Sequence, residues 1–125
     1  MIIVIPGVFS PTEVERIRGH LDAADWQDGN ATAGAQAQQV KQNQQLPLDS
    51  QLTRQLGEII LSTLGKHPTF ISAALPLKIF PPMFNRYRTG ETYGLHVDNA
   101  IRYAPGSPTP IRTDLSATLF LCSPQ

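Results

Sequence analysis

Apolar and polar positions change rhythm along the chain. Ile2 to Ile5 is a short β-branched run ending at Pro6-Gly7, which predicts a buried strand. Ser10-Pro11-Thr12-Glu13 then carries the marks of a helix start: a capping serine, proline at the first helical position, and glutamate three residues after the cap. Val14, Ile17 and Leu21 follow at helical spacing and predict a helix over about 11–24. Its other face, with Glu15, Arg16, Arg18 and Gly19, is solvent-like. A second stripe, Leu52, Leu56, Ile59, Ile60, Thr63 and Leu64, predicts an amphipathic helix capped by Asp49 and running to about Lys66. His67-Pro68 ends it, because a proline disfavours helical geometry in the residue before it. His67 there reads as a helix-end cation favoured by the macrodipole rather than as a metal ligand.

From Leu75 the period becomes two. Leu77-Lys78-Ile79-Phe80 alternates and is broken by Pro81-Pro82, and Met83 to Arg88 resumes the alternation. Thr89-Gly90-Glu91 makes a tight turn into a return strand, Thr92 to Asn99. Residues 100–113, with Pro105-Gly106, Pro108 and Pro110, read as a long exposed loop, a wall or lid over whatever the preceding strand carries. Asp114 to Cys122 is expected to be a last strand, with Cys122 a small buried hydrophobe. Helices first and strands afterwards make the fold class α+β.

One stretch fits neither rhythm. Residues 28–37 are rich in Gly, Ala, Asn and Thr, and Gln36 to Gln45 holds six glutamines. It reads either as a solvated loop or as a polar strand around Val40-Lys41-Gln42-Asn43. In the second reading it lies beside a cleft, where its amides would hydrogen-bond a polymer or peptide.

Composition narrows the function classes. The 125 residues amount to one domain, and 41% hydrophobic content suffices for a core. Ten basic and ten acidic residues cancel, so nothing argues for nucleic-acid or membrane-surface binding. The single cysteine excludes an internal disulfide framework and a zinc-thiolate cluster. With no leader and no long apolar run evident, a cytoplasmic setting is expected.

The candidate chemistry lies in Gly94-Leu95-His96-Val97-Asp98-Asn99. In a strand, positions i and i+2 share a face, so His96 and Asp98 project together. An imidazole and a carboxylate on one wall are two thirds of the two-histidine-one-carboxylate triad that holds non-haem Fe(II) with open positions. No residue is assigned as a catalytic acid, base or nucleophile. Asn99 and Arg102, just past the motif, read as solvated loop residues.

The block from Asn85 to Ala100, Asn-Arg-Tyr-Arg-Thr-Gly-Glu-Thr-Tyr-Gly-Leu-His-Val-Asp-Asn-Ala, resembles the proximal half of the Fe(II)/2-oxoglutarate dioxygenases. More narrowly it resembles the bacterial PKHD-type hydroxylases, the prolyl/lysyl-hydroxylase-domain branch. Arg112 to Leu121, Thr32-Ala33-Gly34 and Val40 to Leu46 are similar to other parts of that branch, so the resemblance spans essentially the whole chain. It implies N-terminal helices and strand support (1–74) packed on the proximal strands (75–122) of a double-stranded β-helix, or jelly roll. It implies His96 and Asp98 as Fe(II) ligands, 2-oxoglutarate and O2 as co-substrates, and ascorbate to keep the iron reduced. The reaction would hydroxylate a C–H bond, with a prolyl or lysyl residue as candidate substrate, releasing succinate and CO2. Tyr93 matches an aromatic that lies against the oxoglutarate in prolyl hydroxylases. Tyr87 is placed beside it, and Thr118, on one face with Ser116, lines the cofactor cavity.

The sequence also departs from the family pattern. The family's third ligand is a later histidine, followed by an arginine or lysine that pairs with the distal carboxylate of 2-oxoglutarate. No histidine follows Asp98 here, and His20 and His67 match no ligand position. The chain is therefore expected to be the N-terminal portion of a longer enzyme, truncated on its C-terminal side and with little turnover alone. The competing reading is a non-catalytic jelly-roll-like module that binds a protein partner.

Overall fold

The computed structural model describes residues 1–28, 43–88 and 101–122. Its first helix, α1 (Pro11–Asp22), starts where the cap signals put it. The Glu13 backbone N–H donates to Ser10 Oγ at 3.2 Å, and the Ser10 N–H donates back to Glu13 Oε1 at 2.9 Å, which closes the capping box. The Ser10 backbone N–H, then its hydroxyl, and more weakly Arg16, hold the Glu13 carboxyl below the usual carboxylate range. Ile17 and Leu21 on the apolar stripe are buried.

The second helix, α2 (Gln51–Gly65), is capped by Ser50 and not by Asp49. Ser50 Oγ accepts the Thr53 N–H at 3.1 Å and donates to Thr53 Oγ1 at 2.8 Å. Buried Thr53 passes its own proton to the Pro47 carbonyl at 2.8 Å, so the hydroxyl pair is fully used. Leu56 and Ile60 enter the core, whereas Ile59 at the stripe's edge stays half exposed.

His67-Pro68 ends α2 as expected but also starts a third helix, α3 (Pro68–Ala74). Pro68 occupies the first turn, where a missing N–H costs nothing, and His67 Nδ1 accepts the Phe70 N–H at 3.3 Å. His67 is thus a cap at a helix start, not a cation at a helix end. Leu75, at φ 44°, closes α3 in the left-handed region.

Three short strands, β1 (Gln27–Asp28), β2 (Gln44–Gln45) and β3 (Asn85–Arg86), form an antiparallel sheet with β2 in the middle. β4 (Ile101–Tyr103) and β5 (Pro110–Arg112) make a separate antiparallel hairpin. Residues 101–112 are therefore not the open loop expected over 100–113 from its prolines. Pro110 begins β5, where a missing N–H is tolerated.

Other strand expectations fail in an instructive way. Met1 to Val4 are exposed, Ile2 at 92%, and form no strand. Leu77 to Phe80 and Asp114 to Cys122 form no strand and pair with no strand among the described residues. In the latter, Leu119 and Leu121 pack on the core, Leu115 and Phe120 face outward, and Cys122 is exposed rather than buried. The Leu121 carbonyl is fixed by Arg18 Nη1 of α1 at 3.0 Å. The described strands make an α+β fold; the sheets are small and antiparallel.

The core lies between α1, α2 and one face of the β1-β2-β3 sheet: Phe9, Ile17, Leu21, Leu46, Leu56, Ile60 and Phe84. Buried Gly57 of α2 lets Pro82 approach, its Cδ 3.5 Å from where a Cβ would stand. That contact sets the chain entering β3 against the helix.

Candidate functional site

The polar side of the molecule is built by β2 and β3. Their register pairs Gln44 with Arg86 and Gln45 with Asn85, and the Leu46 N–H bonds the Phe84 carbonyl at 3.1 Å. Alternation then divides the side chains between two faces. Leu46 and Phe84 point into the core, and Gln44 and Arg86 extend that face to its rim. Asn43, Gln45, Asn85 and Tyr87 occupy the other.

At the rim, Arg86 is held from two sides. Its Nε donates to Gln44 Oε1 at 2.9 Å, and its Nη2 donates to the same oxygen. Its guanidinium stands over the Trp26 ring, 4.6 Å from the centroid. Trp26 is fixed in turn by donation from its Nε1–H to the Leu21 carbonyl at 2.9 Å. A cation is thereby tied down by a neutral amide and a ring face, which locks β2 to β3 and both to the end of α1.

The other face carries carboxamides. Asn43 and Gln45 are buried, at 3% and 2% exposure, whereas Asn85 is exposed and Tyr87 half exposed. Asn43 Nδ2 donates to Asn85 Oδ1 at 3.2 Å, a diagonal pair in this register. Continuing the register by one residue sets Asn43 opposite Tyr87. Asn43 Oδ1 has no hydrogen-bond partner among the described residues. The strand seen at the end of the glutamine-rich stretch is Gln44–Gln45; Val40 to Gln42, where a polar strand was the second expectation, lie outside the described residues, as do all of 29–42.

The candidate ligands His96 and Asp98, and Tyr93, lie outside the described residues. Tyr87 continues β3 on the carboxamide face. Thr118 and Ser116 are exposed in the extended final segment. Arg102, expected in a solvated loop, is half-buried on β4. Its Nη2 donates weakly to Met83 Sδ at 3.4 Å, and its guanidinium stands 4.8 Å from the Phe80 ring centroid. The described residues contain no group of three or more His, Cys, Asp or Glu side chains able to hold a metal ion. His20 is exposed on α1, and His67 caps the start of α3. Sequence reasoning included Asn43 among the amides of its polar-strand reading but passed over Asn85 and the Gln44–Arg86 pair as site elements. Their signal was the alternation through Gln42-Asn43-Gln44-Gln45-Leu46, which puts one apolar side chain inward beside a run of amides.

No helix among the described residues is long and apolar enough to cross a membrane. No family model matches the chain. It is, however, 54% identical over 125 residues to a PKHD-type hydroxylase of Janthinobacterium sp., covering all of this chain and 55% of that protein. A PKHD-type hydroxylase of Burkholderia cenocepacia is 56% identical over 124 residues, again with 55% of its length covered. The chain thus spans about half the length of these curated relatives. A PKHD-type hydroxylase of Methylobacillus flagellatus is 52% identical over 125 residues, and there the match covers 71% of the relative. Identity at this level along its whole length means that the chain belongs to the PKHD-type hydroxylases.

Proposed function

We propose that the chain is part of an Fe(II)- and 2-oxoglutarate-dependent hydroxylase that inserts oxygen into a C–H bond of a prolyl or lysyl residue. The observation that carries this reading is the 52–56% identity, along the whole chain, to proteins named as hydroxylases. The His96-Xaa-Asp98 spacing supports it by offering a nitrogen and an oxygen donor on one strand face. His96 and Asp98 would hold the iron, with ascorbate keeping it reduced. Bound iron with 2-oxoglutarate supplies the activation of O2, with succinate and CO2 as by-products. Tyr93, Tyr87 and Thr118 are the residues of this chain assigned to the oxoglutarate side. The short sheets belong, in this reading, to a double-stranded β-helix completed by the further length that the relatives carry.

Two donors are an incomplete set. A third ligand and a basic partner for the distal carboxylate of 2-oxoglutarate must come from outside these residues, and such a charge-assisted contact is worth about 1.5–3 kcal/mol. The 125-residue chain is therefore expected to bind Fe(II) weakly and to form little succinate. Anaerobic Fe(II) titration of the wild type and of His96→Ala is the test. Loss of iron binding in the variant is the expected result, and equal binding by the two proteins sinks the assignment.

A further inference from the structure

The N-terminal run and α3 leave an apolar surface uncovered. Ile2 and Val4 are 92% and 83% exposed, Ile3 is 53% exposed and Ile5 is half-buried. Exposure thus alternates as it does along a strand with one face turned to the molecule. Yet the backbone of residues 2–5 finds no hydrogen-bond partner among the described residues. Ile3 lines a groove of about 440 Å³ whose other wall is α3, through Pro68, Thr69, Ser72 and Ala73. Thr69, Ser72 and Ala73 are small and share one helix face, which leaves room for a neighbour to approach. α3 buries no residue, although a helix this short does not stand on propensity alone. Leu75 and Leu77, which follow it, are also exposed. No charged side chain occurs in residues 1–12 or 68–77, in a chain with ten basic and ten acidic residues. An exposed apolar surface free of charge has the composition of an interface core.

We propose that Ile2 to Ile5 and the adjoining face of α3 form a docking surface for an apolar β-strand supplied by the further length that PKHD-type hydroxylases carry. Three observations select that occupant. A β-branched run with unpaired N–H and C=O groups is a strand edge, and another extended backbone is what satisfies an edge. The uncharged groove suits aliphatic side chains on that strand, because a charged one would lose its hydration with no partner in return. The chain matches 55% of the Janthinobacterium relative, so nearly as much length again remains there to provide the strand. Of this chain's own remaining segments, 29–42 and 123–125 contain a single large apolar side chain, Val40, and supply no such strand. The buried strand expected at Ile2 to Ile5 then forms in the longer protein. This rests on the chain being part of a longer hydroxylase, and not on the iron chemistry proposed for it.

Hydrogen exchange on two intact proteins, the 125-residue chain and the full-length Janthinobacterium hydroxylase, tests this. In the chain, the amides of Ile3 to Ile5 should exchange as fast as an open peptide at every protein concentration. At the matching positions of the full-length protein, exchange should be slower by about 100-fold or more. Ile2→Asp gives a second reading. In the 125-residue chain, where Ile2 faces solvent, it should move the melting temperature by less than about 1 °C. In a chimera carrying these 125 residues in place of the matching part of the Janthinobacterium protein, it should lower it by roughly 5 °C, because the carboxylate is forced into an apolar contact. Equally fast exchange in the full-length protein overturns the proposal, and so does an equal melting shift in chain and chimera. Slow exchange in the chain alone overturns it too: protection that rises with concentration means a second copy covers the surface, and protection that does not means the chain covers it from within. The exchange arm needs no variant and stands if the chimera fails to fold. Iron binding is read separately with His96→Ala. Its failure with the protection intact removes the iron reading and leaves the docking surface, and the reverse result removes only the docking surface.

Discussion

Gly57 lies mid-helix in α2 and is buried against Pro82, so replacing it weighs helix propensity against space. Alanine is favoured over glycine in a helix interior by about 0.8–1.0 kcal/mol, because glycine surrenders more backbone freedom on folding. The added methyl would meet Pro82 Cδ at 3.5 Å and Cγ at 3.9 Å, the nearest atoms among the described residues. Those separations lie at the attractive part of the contact curve, not on its wall. A buried methyl adds roughly 0.8 kcal/mol when it fits. The two gains together make Gly57→Ala more stable by about 1–2 kcal/mol. For a chain of this size that amounts to a rise of roughly 3–8 °C in melting temperature. Gly57→Leu has no such room and should lose about 1–3 kcal/mol by overpacking. Circular dichroism melts and urea titrations of the three proteins measure this, with unchanged m-values required for a like-for-like comparison. An alanine variant no more stable than wild type would mean that α2 and the entry to β3 are closer than the Pro82 contact indicates.

The capping box should make α1 acid-sensitive. Because Glu13's carboxyl is lowered from its ordinary value of 4.5, its stabilising contribution is fully present above that value and is lost as pH falls through the lowered one. Melts of wild type and Glu13→Gln should differ at neutral pH and converge in strong acid; a gap that widens in acid contradicts the sign. At the sheet rim, Arg86→Ala removes a ring contact and bonds to Gln44 and should cost about 1–2 kcal/mol. Since Trp26 is the only tryptophan, its emission should shift in the same variant, and an unmoved spectrum would deny the stacking.

Features whose causes are local could be read from the sequence. The α1 cap needs only Ser10, Pro11 and Glu13 in order, and both arms of the box form. At the start of α2 two adjacent cap residues compete, and Ser50 prevails over Asp49 because its hydroxyl also serves Thr53, whose buried side chain needs it. His67-Pro68 was legible as a stop; that the same proline opens α3 depends on the histidine ring turning back onto Phe70. Strands were harder because alternation encodes an extended backbone and two faces but no pairing partner. In Asp114 to Cys122, Leu119 and Leu121 turn inward on alternate positions, yet the segment has no neighbouring strand among the described residues. The hairpin at 101–112 was masked by its prolines. At the site, the motif at 96 and 98 was visible as spacing, whereas the Asn43–Asn85 pair joins residues 42 positions apart, a relation no local pattern carries.

Two arginines, Arg86 and Arg102, flank residues 89–100 in sequence, and both are held by their surroundings. Arg86 is clamped through Gln44 and Trp26, and Arg102 through Phe80 and Met83, so both ends of the segment holding His96 and Asp98 are moored to residues 80–86 and their neighbours. Under the proposed function, iron affinity would then have a mechanical component supplied from a distance. In the proposed iron site, Phe80, sixteen positions upstream of His96 and unable to coordinate anything, would act on the donors only through its hold on Arg102. In that reading, iron affinity would change on substitution of Phe80, Met83, Trp26 or Gln44 with both donors left in place.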